Sequence, residues 1–192
     1  MNQPGEVKWM AKYTALLRGV NRGGRNILSM QALGAEMEQK GFLHVQTYSN
    51  SGNILFERNL DADTVRQVIT KLIHEKFGID TPVAVFPADA LVASLSRAPV
   101  WWNQSKEAKH NAIFLIPPLT AEEAIASIGE AKPEYEQVDS AGSVIFWSAP
   151  IKTFSRTRWS KVVGSSIYNS ITIRNANTAM KLLSFLKENV EK

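Results

Sequence analysis

Basic, amide and glycine residues are concentrated in one loop near the start of the chain. Residues 18–26 read Arg-Gly-Val-Asn-Arg-Gly-Gly-Arg-Asn, between an apolar run and a helix-like stretch that opens at Ser29. Glycine lets a ligand approach the main chain, and the free N–H groups at the start of a helix attract anions. A strand-to-helix turn that needs glycine only for its shape is the alternative. The anion-site interpretation predicts these ligand residues: Arg18, Asn21, Gly23, Gly24 and Asn26.

A second strand-to-helix junction carries the same residue types much later in the chain. Residues 172–178 read Thr-Ile-Arg-Asn-Ala-Asn-Thr, which places Arg174 beside Asn175 and Asn177. Either asparagine could simply cap the helix. A guanidinium beside a helix N-terminus suits a carboxylate or a phosphate. We expect Arg174 to be partly buried, and either hydrogen-bonded within the fold or facing a cleft.

Two further stretches have both a functional and a structural interpretation. Residues 48–53 read Tyr-Ser-Asn-Ser-Gly-Asn, which is turn chemistry between two strands, with Asn53 as a further candidate ligand. Residues 152–161 interleave basic residues with Phe154 and Trp159. That pattern suits the backbone and bases of a nucleic acid, and Trp159 suits the core of a short helix equally well.

No arrangement of residues indicates a particular reaction. His44, His74 and His110 are scattered, and the chain has no cysteine, which excludes disulfides, thiolate chemistry and zinc-cysteine sites. Neither a nucleotide-binding glycine fingerprint nor a serine-base pairing is present. The sequence therefore predicts no metal site, and it leaves catalytic residues and cofactor unassigned.

The composition is that of an ordinary globular protein with an uneven charge distribution. The 192 residues carry a net charge of +4, with 44% hydrophobic residues. Basic residues gather in 1–26 and 152–161, and acidic residues in 122–139, which favours an anionic partner. No apolar run approaches the roughly 20 residues of a membrane span, and the first residues do not resemble a signal peptide. We expect a cytoplasmic protein with no membrane partner.

Hydrophobic periodicity predicts the order β-α-β-β-α-β in the first half of the chain and again in the second. Thr81–Pro87, bounded by prolines, is expected at a sheet edge. The expected strands are 12–20, 44–49, 53–58, 81–87, 111–116, 135–139, 143–148 and 171–173. The expected helices begin near residues 29, 61, 120, 157 and 177, with Met180, Leu183 and Leu186 on the inner face of the last.

These patterns predict an α+β fold made of two ferredoxin-like (β-α-β-β-α-β) halves with an extra C-terminal helix. The predicted domains are an N-terminal half, a connector and a C-terminal half, at residues 1–88, 89–109 and 110–192.

Taken together, the motifs at 18–26, 48–56 and 172–178 resemble the bacterial domain of unknown function 1697 family. The resemblance extends from about Tyr13 to Leu186. Arg22 stands where the family usually has an apolar residue, and Ala176 where it more often has tryptophan. The resemblance implies an α+β fold with ferredoxin-like halves, and it implies no activity, cofactor or catalytic residue.

The functional prediction is a cytoplasmic bacterial protein that binds an anionic, phosphate-bearing, nucleotide-like small molecule. If both helix starts point into one pocket, the loops at 18–26 and 174–178 should share a concave surface, with the turn at 50–53 on its rim. The alternatives are a single-stranded nucleic-acid binding module and an interaction scaffold with Trp101-Trp102 as an exposed anchor. Oligomeric state is not predicted.

Overall fold

A computed structural model of the chain describes residues 10–190, so the outermost ends of the predicted domains lie outside the described residues. The first half has four strands and three helices: β1 (Ala11–Leu17), α1 (Met30–Gln39), β2 (Leu43–Tyr48), β3 (Asn53–Arg58), α2 (Ala62–Phe77), β4 (Val83–Pro87) and α3 (Ala88–Leu95). The second half has β5 (Ala108–Leu115), α4 (Ala121–Ile128), β6 (Gln137–Ala141), β7 (Val144–Pro150), β8 (Ile171–Asn175) and α5 (Ala176–Val190). Between β7 and β8, the 3-10 region (residues 151–170) forms three short 3-10 helices at Ile151–Arg156, Trp159–Gly164 and Tyr168–Ser170.

Local chemistry explains where several helices begin and end. The Ser29 hydroxyl accepts a hydrogen bond from the Ala32 N–H at the start of α1, and the Asp61 carboxylate does the same for Thr64 at the start of α2. Thr120 and Glu123 form a complete capping box at α4, next to the helix start predicted near residue 120. Helix α2 ends at Gly78, whose φ of 64° is the left-handed conformation that glycine adopts most easily.

The strands form two four-stranded antiparallel sheets with the same order in space. The first is ordered β2-β3-β1-β4 and the second β6-β7-β5-β8. Strand β1, predicted from its apolar run, is central, and β4 lies at the edge as its two prolines predict. The fold is therefore mixed α+β, as expected.

Both sheets are covered on both faces. One face of each sheet contributes to a shared core with α3 and α5, in which Phe86 of β4 and Phe114 of β5 have ring centroids 6.2 Å apart. The outer face of the first sheet packs on α1 and α2. The outer face of the second sheet packs on α4 and the 3-10 region, where Trp159 is fully buried.

Helix α3 (Ala88–Leu95) was not predicted; most of it lies within the predicted connector at 89–109, and its Leu91 and Leu95 are core residues. Three predicted details are wrong. The helix predicted from residue 157 is replaced by the 3-10 region. On α5, Met180 is 42% exposed because Ala179 and Leu182 occupy the inner face. Strand β8 continues through Asn175, and α5 begins at the next residue, Ala176. No loop therefore separates the strand from the helix, although one was predicted from residue 174. The domain boundaries stay a prediction.

Candidate functional site

A cleft of about 940 Å³ lies between the two halves. The first half contributes the loop that follows β1 and the turn between β2 and β3. The second half contributes the start of β5, the 3-10 region and the junction of β8 with α5. The two arginine-containing junctions therefore share one concave surface with the hairpin turn beside it. This confirms the predicted convergence of their positions.

Arg18 reaches across the cleft from the end of β1 to the 3-10 region. Its Nη1 donates to the Tyr168 carbonyl at 2.6 Å, and its guanidinium lies 4.5 Å from the centre of the Tyr168 ring. These two contacts fix the orientation of the group. Within residues 10–190 its Nε and Nη2 take part in no hydrogen bond. The side chain thus keeps one edge available for a bidentate contact with an oxyanion.

Arg174 is also at the cleft, but its donors are occupied by the protein. The side chain is 7% exposed, and its Nε donates to Asn53 Oδ1 at 2.7 Å. Nη1 donates to the Thr172 hydroxyl and the Ile173 carbonyl. Nη2 donates to carbonyl oxygens of the first half, at 2.8 Å to Leu17, 2.9 Å to Ser51 and 3.3 Å to Gly52. Arg174 therefore joins the two halves.

Burial lowers the pKa of Arg174 from its usual range to about 10, because the interior disfavours the charged form. The group is still protonated at neutral pH. Its described partners are all neutral oxygens, so its charge is not cancelled by a carboxylate. Arg174 therefore adds positive potential to the cleft, without a donor left for a ligand.

Two of the predicted asparagine ligands have structural roles instead. Asn21 has a φ of 53°, and its side chain donates to the carbonyls of Leu28 and Asn50 while accepting from the Leu28 N–H. It holds the loop against the hairpin turn. Asn53 is fully buried, donates to the Tyr48 carbonyl and accepts from Arg174. In both side chains the amide oxygen and the amide nitrogen are already hydrogen-bonded within the protein, so neither amide is available to a ligand.

Four other predicted residues do not line the cleft: Gly23, Gly24, Asn26 and Asn177. The two glycines have φ of 60° and 73° with open space around them, so they shape an exposed turn. Asn26, with a φ of 48°, pairs with Asn21 through the backbone. The start of α1 is not in the lining either. Among the α-helices of residues 10–190, α5 alone has its N-terminus in the lining, where Asn175 caps the Thr178 N–H at 2.8 Å.

Sequence reasoning missed Lys109, Asn111 and Tyr168, which all line the cleft. Lys109 and Asn111 alternate with inward-facing residues on β5, so their side chains share the outer face. The Lys109 ammonium lies 4.2 Å from the centre of the Phe154 ring. The sequence pattern that could have indicated Lys109 and Asn111 is the placement of polar side chains at alternate positions at the start of β5.

The cleft is strongly basic. Arg18, Arg22, Lys109 and Arg174 line it, and none of its described lining residues is aspartate, glutamate or histidine. His110, between two lining residues, faces the other side of β5 and hydrogen-bonds to Ser148. In the part of the chain that the structure describes, no group of histidine, cysteine or acidic residues is placed to hold a metal ion.

The surfaces required by the alternative interpretations are largely buried. Trp159 is fully buried, so the basic-aromatic stretch at 152–161 loses one of its two rings to the core. Trp102 is only 3% exposed and donates its indole N–H to the Asn111 carbonyl at 3.0 Å. The pair Trp101-Trp102 is therefore not the exposed anchor that a scaffold would need.

Residues 10–146, more than half of the chain, match the family model described as "Protein of unknown function (DUF1697)". The chain belongs to the DUF1697 family. This confirms the resemblance seen in the sequence motifs, and the junction around Arg174 lies beyond the matched residues of the DUF1697 model.

A solved structure is similar to almost the whole chain. The conserved bacterial protein SP0830 from Streptococcus pneumoniae is 27% identical, with a TM-score of 0.81 over 93% of this chain and 99% of that one. Among the curated proteins, none matches. No helix within residues 10–190 has the length and apolar character needed to cross a bilayer.

Proposed function

We propose that the cleft binds a phosphate-bearing, nucleotide-like small molecule. The observation that carries the proposal is the charge of the lining: four basic side chains and, among the described lining residues, no acidic one. Uncompensated positive charge in a concave site raises the local concentration of anions. The volume of about 940 Å³ is in the range of small-molecule sites, roughly 300–1,000 Å³.

Separate groups in the cleft suit different parts of such a ligand. Arg18 offers its Nε and Nη2 edge to a phosphate, and Lys109 adds a second positive charge. The N-terminus of α5 adds a favourable dipole beside Asn175 and Thr178. Apolar side chains, including Phe154 and Val162, line the same cleft and suit a less polar part of the molecule.

The proposal concerns binding, not a reaction. A general acid or base is most often histidine or a carboxylate, and the described lining contains neither. Positioned cations could stabilise charge that develops in a bound phosphate ester, which is the one catalytic contribution these residues suit.

We also propose that each half is a ferredoxin-like unit and that the protein is cytoplasmic. The first half has the order β-α-β-β-α-β along the chain and β2-β3-β1-β4 in space. The second half has the same spatial order, with the 3-10 region in place of its second helix. The absence of cysteine fits a reducing compartment.

Calorimetric titration with pyrophosphate, adenosine 5′-monophosphate and uncharged adenosine tests the binding proposal. We expect the two phosphorylated compounds to bind, with affinity falling as salt is raised from 50 to 300 mM because the contacts are partly exposed and electrostatic. We expect adenosine to bind weakly or not at all. A 12-nucleotide single-stranded oligomer is the comparison for the nucleic-acid alternative.

Saturation by mononucleotides and pyrophosphate supports the proposal, and a ligand at a hundredfold excess over its Kd should add about 2.7 kcal/mol to the free energy of unfolding. Binding of the oligomer alone would favour a nucleic-acid binding module instead. Absence of binding by every phosphorylated compound would refute the proposal.

A further inference from the structure

Two asparagine side chains lie opposite each other on the wall of the cleft. Asn111 of β5 and Asn175 of β8 are direct partners in the antiparallel pairing of these strands, and both line the cleft. Side chains paired in this way have Cβ atoms about 4.5–5.5 Å apart. The two amides therefore form one polar surface, and this surface belongs entirely to the second sheet.

These amides have hydrogen-bonding capacity that the protein does not use. The Asn111 side chain takes part in no hydrogen bond with residues 10–190, although its backbone carbonyl accepts from Trp102. Asn175 accepts the Thr178 N–H through Oδ1, which leaves the two N–H donors of Nδ2. Asn21 and Asn53, by contrast, have both ends of their amides engaged. Asn111 and Asn175 therefore both have amide groups with capacity left for a ligand.

The neighbours of this pair suit a planar ring. Strand β7 pairs with the edge of β5 opposite to β8, and there Trp147 is the direct partner of Asn111. The ring centres of Trp147 and Phe154 are 5.2 Å apart, and both residues line the cleft. Ile173 lines the cleft two residues before Asn175. Lys109 precedes Asn111 on the same face of β5, at a spacing of about 7 Å for two strand residues. The part of the cleft wall that carries aromatic and amide side chains is therefore next to the part that carries the Lys109 charge.

We propose that the Asn111–Asn175 pair recognises the edge of a nucleobase whose phosphate is held by Arg18 and Lys109. An asparagine amide presents an acceptor beside a donor in one plane, which matches a ring edge that carries a donor beside an acceptor, such as N6 and N7 of adenine. Asn175 adds a further donor through Nδ2. The inference rests on the proposed function and narrows its ligand to a nucleoside phosphate, distinct from a simple sugar phosphate.

The experiment compares the four nucleoside 5′-monophosphates (AMP, GMP, CMP and UMP) with ribose 5-phosphate, which lacks the base. We expect at least one nucleotide to bind the wild type roughly tenfold or more tightly than ribose 5-phosphate, since a good bidentate pair discriminates by about that factor. Asn111→Leu should remove this preference and leave ribose 5-phosphate affinity within about twofold. Asn111→Gln, which keeps the amide, should retain part of it.

Asn175→Ser is the second variant, because serine keeps the cap on Thr178 and removes the Nδ2 donors. It should lower nucleotide affinity about threefold to tenfold with an unchanged circular dichroism spectrum. If Asn111→Leu does not fold, this variant decides the question. Equal binding of nucleotides and ribose 5-phosphate by the wild type would overturn the inference and leave the proposed function intact.

Loss of ribose 5-phosphate affinity to the same degree as nucleotide affinity would also overturn the inference, since it would mean that the asparagines only shape the cleft. Retention of the nucleotide preference in both Asn111→Leu and Asn175→Ser would overturn it as well. If pyrophosphate, ribose 5-phosphate and all four nucleotides fail to bind the wild type, the proposed function fails, and this inference fails with it.

Discussion

Two of the arginines that line the cleft, Arg18 and Arg174, come from similar sequence contexts and make different contacts. Arg18 directly follows β1 and Arg174 is the second-last residue of β8, and each is near asparagines and the start of a helix. Arg174 directs its three nitrogens at protein oxygens from both halves, whereas the Arg18 guanidinium makes one hydrogen bond within residues 10–190 and keeps its Nε and Nη2 unused. The comparison indicates that hydrogen-bond partners distinguish an arginine that holds the fold together from one with donors to spare, where residue type and local sequence do not.

The glycines around the cleft show the same contrast. Gly52, in the hairpin turn, has a φ of 78°, and a Cβ there would be 2.6 Å from Leu17 Cβ. Gly24 has a φ of 73° with no atom close to its missing side chain. The glycine that permits close packing is therefore in the turn held by Arg174. The Gly23-Gly24 pair, which looked like a ligand-binding feature in the sequence, is an exposed turn.

The largest expected effect is loss of stability in Arg174→Met. The substitution leaves the Leu17 and Ser51 carbonyls and Asn53 Oδ1 without their Arg174 donor, at about 1–3 kcal/mol each. Removal of a poorly solvated cation offsets part of this loss, so we expect the free energy of unfolding to fall by about 4 kcal/mol. Urea denaturation measures it. Arg18→Met is the matched control, and its free energy of unfolding should fall by less than about 1 kcal/mol. Equal losses of stability in the two variants would contradict the proposed difference between the two arginines.

Gly52→Ala and Gly24→Ala form the second comparison. Alanine at Gly52 adds left-handed strain and contacts of 2.6 Å with Leu17 and 2.8 Å with Val20, so we expect a loss of about 3 kcal/mol. Alanine at Gly24 adds only the conformational cost, about 1 kcal/mol. Thermal unfolding of the two variants separates these values. A Gly24→Ala loss as large as that of Gly52→Ala would show that the first loop is packed more tightly than the structure indicates.

The smallest expected effects concern the asparagines that hold each junction. Asn21→Ala removes three side-chain hydrogen bonds and places alanine at a φ of 53°, for an expected loss of about 2 kcal/mol. Asn175→Ala removes one helix cap, for about 1 kcal/mol, and Asn175→Ser should restore it. Chemical denaturation of the three variants provides the test. An Asn175→Ser variant no more stable than Asn175→Ala would contradict the capping role.

Much of the fold could be predicted because its signals are local. The apolar run of β1, the helix-like stretch that opens at Ser29 and the turn chemistry before Asn53 each specify an element within a few residues. The 3-10 region could not be predicted in the same way, since short 3-10 segments lack the 3.6-residue period of an α-helix. Helix α3 did carry a signal in the spacing of Leu91 and Leu95, which the nearby proline and tryptophans obscured.

The site was predicted in outline and not in detail. The convergence of Arg18 and Arg174 followed from their similar settings. The contributions of Lys109, Asn111 and Tyr168 depend on which strands pair and on where the 3-10 region packs, and these are long-range properties that residue types alone do not determine. Whether a side chain has donors to spare also depends on distant partners: Arg174 loses its donors to residues more than a hundred positions away.

The central claim, that Arg18 contacts the phosphate and Arg174 maintains the cleft, is tested most directly by the pyrophosphate affinity of Arg18→Met. Charge-assisted hydrogen bonds contribute about 1.5–3 kcal/mol, so calorimetric titration should show a loss of about tenfold to a hundredfold in affinity. Urea denaturation of the same variant should show stability within about 1 kcal/mol of the wild type. An Arg18→Met protein that binds pyrophosphate as tightly as the wild type would contradict the account.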